Sequence, residues 1–61
     1  MSVVAIYLVN GVNYPMDQFG QLWGQNLITG SWQVVGQIIQ EPYGPVAVGW
    51  NNQTYPAVRV Q

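Results

Sequence analysis

The chain has 61 residues, no cysteine and no histidine, and its only charged side chains are Asp17, Glu41 and Arg59. That set can build neither a disulfide nor a thiolate metal site, and it offers no base for a hydrolytic triad. A single Arg without any Lys also argues against nucleic acid and against an anionic membrane surface, because both are held by basic side chains.

A chain this short forms one domain, residues 1–61, and buries only about 60% of the surface that its unfolded form exposes. Small domains commonly add disulfides, a metal or partner subunits, and here partner subunits are the support left open. Charged residues make up 5% of the chain, against about 25% in an ordinary soluble domain. Eight Gln and five Asn supply the polarity instead. A net charge of −1 with so few ions favours association. Low hydrophobicity with high net charge, the mark of disorder, is absent.

The first element is a strand, Val3 to Val9. It is apolar on both faces, with Val3, Ala5, Tyr7 and Val9 on one and Val4, Ile6 and Leu8 on the other. No basic residue precedes this run and it stops at Asn10-Gly11, so it reads neither as a signal peptide nor as a transmembrane segment. Cytoplasm or a virion is the expected location. Asn10-Gly11 has the signature of a two-residue turn with positive φ at both positions, which predicts an N-terminal hairpin. The return strand starts at Val12, and Pro15 ends it or marks an edge.

Between Met16 and Gly30 the pattern is weaker. Met16 to Phe19 suits one helical turn, and Gln21 to Ile28 suits a short strand broken at Gly24 within an irregular loop. Ser31 to Gln40 predicts a long strand, with a bulge or bend near Gly36 where the apolar alternation breaks. Glu41-Pro42-Tyr43-Gly44 is a turn. Val46, Val48 and Trp50 alternate with Ala47 and Gly49 on the next strand, and Asn51-Asn52 is a turn pair. The last strand runs from Gln53 to Val60. It points Thr54, Val58 and Val60 one way and Tyr55, Ala57 and Arg59 the other, with Pro56 implying an edge or bulge. The sum is an all-β meander, a small five-stranded barrel or sheet, SH3-like or similar.

Two groups of residues are candidates for function. Val3, Ala5, Tyr7 and Val9 form a candidate subunit interface, if one face of the strand packs inside the subunit and the other meets a neighbour. Trp50, Asn51, Asn52 and Gln53 set a ring beside three amides at a turn, a combination that suits a neutral glycan, since sugars stack on aromatic rings and bond to amides. The sequon Asn52-Gln53-Thr54 matters only in a secreted eukaryotic chain. Gln53-Thr54-Tyr55-Pro56 resembles the Gln-x-Tyr-Pro of plasmid-type dihydrofolate reductases, which are tetramers of a small SH3-like barrel around a shared pore. Those enzymes hold anionic ligands with lysines, and this chain has none. No catalytic, cofactor or metal site is expected. The expected function is a non-catalytic structural subunit, a phage capsid or decoration (cement) protein. Its partners would be copies of itself or other structural proteins such as a major capsid protein. A small oligomeric lectin is the alternative.

Overall fold

The computed structural model describes residues 2–61. Its six strands are β1 (Val3–Val9), β2 (Val12–Asp17), β3 (Gln21–Gln25), β4 (Trp32–Glu41), β5 (Gly44–Gly49) and β6 (Thr54–Arg59). They follow one another in an antiparallel meander that closes into a barrel when β6 returns to β1. The architecture is all-β, as the sequence predicts, with six strands rather than five.

The Asn-Gly hairpin forms as predicted. Val9 pairs with Val12, and Asn10 and Gly11 adopt φ of 51° and 81°, which only a few residue types tolerate. Beyond it the sequence expectation needs correction. β2 continues through Pro15 to Asp17, and neither a helical turn at Met16–Phe19 nor a break at Gly24 occurs. Pro15 is accommodated because of its position in the ladder. Pairs alternate along an antiparallel ribbon, so Pro15, opposite Ile6, turns its nitrogen away from β1 and toward β3. The β2–β3 ladder consists of Met16 and Leu22, so no bond at Pro15 is lost. Pro56 follows the same rule. It lies opposite Val46 and faces β1, and the β1–β6 ladder starts one residue later, at Val9 and Ala57.

β4 is shared between two hairpins. Its first half pairs with β3 and its second half with β5, and Gly36 lies opposite both Leu22 and Gly49. The register shifts between Leu22 and Trp23, so Val35 is the extra residue of a bulge. The bend expected near Gly36 is present for this reason. A Cβ at Gly36 would sit 2.6 Å from the carbonyl oxygen of Val48.

The interior is built from small residues and rings. Ala5, Tyr7, Val9, Leu22, Ala47 and Ala57 form the buried cluster, with Tyr14, Met16, Val35, Ile38 and Tyr55 packed against it. Three of those six residues are alanine, and among the described residues no large side chain is completely buried. Among the described residues no buried polar side-chain atom lacks a hydrogen-bond partner, and no helix is long and apolar enough to cross a membrane.

Candidate functional site

β1 settles which of its faces is internal. Ala5, Tyr7 and Val9, three of the four residues assigned to an interface, are buried in the subunit's own core. Val3 lies beyond the irregularity between Val3 and Ala5 and is half exposed. The interface assignment is therefore inverted. Closing the barrel turns the odd-numbered side inward, because the Tyr7 ring fills space that Ala5, Ala47 and Ala57 leave. The free apolar face is that of Val4, Ile6 and Leu8.

That face continues round the barrel. Leu8 pairs with Val58, and the Val60 amide donates to the Ile6 carbonyl, which sets Val60 beside Ile6. Along β6, Val58 is followed on the same side by Pro56, which pairs with Val46, and Val46 pairs with Ile39. Val4, Ile6, Leu8, Val58, Val60, Pro56, Val46 and Ile39 thus make one continuous apolar patch across four strands, with Val46 buried within it. Val4 is 50% exposed, Leu8 37%, Val58 58% and Val60 45%. None of these eight carries a charge. Glu41 stands two residues beyond Ile39 at one corner, and Arg59 projects from the alternate side of β6, its Nε donating to the Gln61 carbonyl at 3.0 Å. On β5, Ala47 belongs to the core cluster, Val46 on the alternate side is itself buried beneath its neighbours, and Val48 is half-buried.

The second feature is a groove of about 260 Å³ around Trp50, lined by Gln21, Val34, Gly36, Gln37, Val48, Gly49, Trp50 and Asn52. Its floor is the close approach of β4 to β5 that Gly36 permits. The indole Nε1 of Trp50 donates to the Val34 carbonyl at 2.9 Å, which pins the ring while leaving the residue 77% exposed. Of the amides predicted to accompany it, two are engaged in the turn. Asn51 Oδ1 accepts from the Gln53 amide at 3.1 Å, and Gln53 Oε1 accepts from the Tyr55 hydroxyl at 2.7 Å. Asn52, at φ of 61°, lines the groove. Gln21 and Gln37 join it from β3 and β4, where they are a cross-strand pair. They escape sequence reading because they lie sixteen positions apart and meet through a register that includes the bulge.

Asp17 holds the β2–β3 turn. Its Oδ1 accepts from the amides of Phe19 and Gln21 at 2.9 and 3.0 Å, and its Oδ2 accepts from Trp23 Nε1 at 2.8 Å. The Trp23 indole bond, with the Gln21 and Phe19 amides, holds the carboxyl below its usual value of 3.8 against the opposing effect of burial. Both oxygens serve the fold, so this carboxylate is not a spare acid or base. Glu41 is exposed at the end of β4. Among the described residues no group of three or more His, Cys, Asp or Glu side chains is placed to share a metal ion.

Comparison of the chain with family models, with curated proteins and with solved structures gave no significant match.

Proposed function

We propose that the chain is a non-catalytic structural subunit whose working form is a multi-copy assembly, and that the apolar face formed by β1, β6, β5 and β4 is where copies meet. The observation that supports this reading is the composition of the two sides of the barrel: three of the six core-cluster residues are alanine, while Val4, Leu8, Val58, Val60 and Ile39 stand exposed on the outside. Fully burying one such aliphatic side chain is worth about 1.5–3 kcal/mol relative to leaving it in water. At about 0.05–0.15 kcal/mol per residue, a domain of this length has only a few kcal/mol of stability in total. Covering Val4, Leu8, Val58 and Val60 is therefore a large gain on the scale of the whole fold.

A second copy is the occupant that the surface fits. The face is free of charges, so it meets its own copy about a twofold axis without opposing like charges. A standard interface takes about 800 Å² from each partner, and the exposed Val4, Leu8, Val58, Val60 and Ile39 are placed to stand near the centre of one. A virion coat or capsid decoration protein is the setting proposed. There, a short chain with few charges gains from neighbours what its small core does not supply.

Sedimentation across a concentration series tests the assembly. The chain is expected to associate with a dissociation constant near or below about 1 μM. Leu8→Lys with Val58→Lys is expected to give a folded monomer, because both side chains point outward. Tyr7→Lys, on the internal face, is expected to unfold the chain. A wild-type chain that stays a folded monomer at a hundred times that concentration overturns the reading, and so does a double variant that associates as the wild type does.

A further inference from the structure

We infer that the groove at Trp50 is a binding site for one ring of a neutral saccharide, independent of the face through which copies associate. Four features carry the inference. The Trp50 ring is exposed yet held at its indole nitrogen by the Val34 carbonyl. A stacking surface fixed before the ligand arrives loses less freedom on binding. Three planar amides stand around it, those of Gln21, Gln37 and Asn52, and none of the three makes a side-chain hydrogen bond among the described residues. Each amide offers both donors and an acceptor, which is the complement that vicinal hydroxyls require. No lining residue is charged, so the site gives no preference to an acidic or basic ligand. The volume falls just under the roughly 300–1,000 Å³ of pockets that enclose drug-sized molecules, which suits one sugar ring of a longer chain lying along the surface.

The backbone is shaped for the same end. Gly36 and Gly49 sit opposite each other and line the groove with Val34 and Val48, and on the Gln21–Gln37 side the Gln37 amide stands across from Val48. Asn52 reaches the groove because it takes a left-handed conformation that Asn accepts more readily than most residues.

The test uses the full chain, isotopically labelled, with cellotetraose, maltotetraose and chitotetraose as probes, read by NMR at the side-chain N–H groups. At least one probe is expected to shift the Trp50 indole signal and the amide signals of Gln21, Gln37 and Asn52 together, with a dissociation constant of about 1 mM or tighter. Trp50→Ala is expected to abolish the shifts. Because Trp50 also ties its turn to Val34, two gentler variants accompany it. Gln37→Ala removes an exposed amide, and Asn52→Gly removes another while suiting the positive φ. Each is expected to weaken binding about tenfold, the equivalent of one hydrogen bond of about 1.4 kcal/mol, with the backbone spectrum unchanged. Repeating the titration on the Leu8→Lys, Val58→Lys protein separates this site from self-association, and the same affinity is expected there. Absence of shifts with all three probes overturns the inference. So do shifts at Trp23 and Trp32 in place of Trp50, or full affinity in both Gln37→Ala and Asn52→Gly.

Discussion

Asp17→Ala is expected to unfold the barrel, or to lower its melting midpoint by on the order of 10 °C or more. Circular dichroism during heating is the measurement. Three donors converge on this carboxylate, and the alanine variant leaves the Phe19 and Gln21 amides and the Trp23 indole N–H without an acceptor in a site where water has little access. A buried donor left unpaired loses more than the bond itself was worth. The location magnifies the loss. The β2–β3 ladder consists of Met16 and Leu22, so the Asp17 turn does much of the work of keeping β3 beside β2 and the barrel closed.

Asp17→Asn separates charge from shape. Its side-chain oxygen can still take the two backbone amides, but its NH₂ then faces the Trp23 N–H, donor against donor. A loss smaller than that of the alanine variant is expected. The same residue gives the wild type an acid limit. Its folded pKa is held below 3.8 by the Trp23 indole and the two amides. The carboxylate's contribution is therefore complete above the unfolded value and is lost as pH falls through the lower folded value. Thermal stability of the wild type is expected to drop in the acid range below 3.8, and Asp17→Asn is expected to flatten that drop. An equally steep drop in the Asn variant would show that other groups set the acid limit.

Local backbone chemistry was legible in the sequence and the orientation of the faces was not. Asn10-Gly11 could be read because both positions need positive φ, and Gly36 because a broken alternation with a glycine at its centre signals a bend. The strands containing Pro15 and Pro56 differ from the sequence expectation in extent or standing for one reason. A proline costs a sheet its missing N–H only where a neighbour would have accepted the bond, and both prolines sit one residue outside the next ladder. A recurrence offered a clue. Tyr14-Pro15 and Tyr55-Pro56 each follow an Asn-containing turn, and in both pairs the tyrosine packs inward and the proline faces out.

Which face is internal is not written in the alternation, and the candidate interface Val3, Ala5, Tyr7 and Val9 therefore falls largely on the internal face. In β5 and β6 the alternation divides the residues into two sets, and size does not decide which set is internal. Ala47 and Ala57 went in because Tyr7, Tyr14 and Tyr55 occupy the space. The same packing explains why the apolar outer face and the Trp50 groove lie on the outside of one barrel. With rings and alanines filling much of the middle, Val4, Leu8, Val58, Ile39 and Gln37 are left on the outer surface.

Gly36→Ala is expected to be the most damaging glycine substitution in the chain, and a graded series makes the point testable. At Gly36 the added methyl would lie 2.6 Å from the Val48 carbonyl oxygen, a backbone atom of the paired strand. Relief requires β4 and β5 to separate, which strains the pairs on both sides of Gly36 and spreads the floor of the Trp50 groove. At Gly24 the nearest atom is a Val35 side-chain methyl at 3.0 Å, and a side chain can shift by a few tenths of an ångström where a backbone cannot. At Gly30 the new methyl meets nothing within 4 Å, but φ is +77°, so the cost is the left-handed strain of about 1–2 kcal/mol alone. The expected order of destabilisation is Gly36→Ala first, with Gly24→Ala and Gly30→Ala well behind it. Overpacking typically costs about 1–3 kcal/mol and can exceed this where the obstacle is backbone. Since the whole fold is worth only a few kcal/mol, Gly36→Ala is expected to leave a substantial unfolded population, measurable by urea titration. Equal midpoints for Gly36→Ala and Gly30→Ala would mean that the β4–β5 crossing is looser than 2.6 Å implies, and that the narrow floor of the groove is not enforced by Gly36.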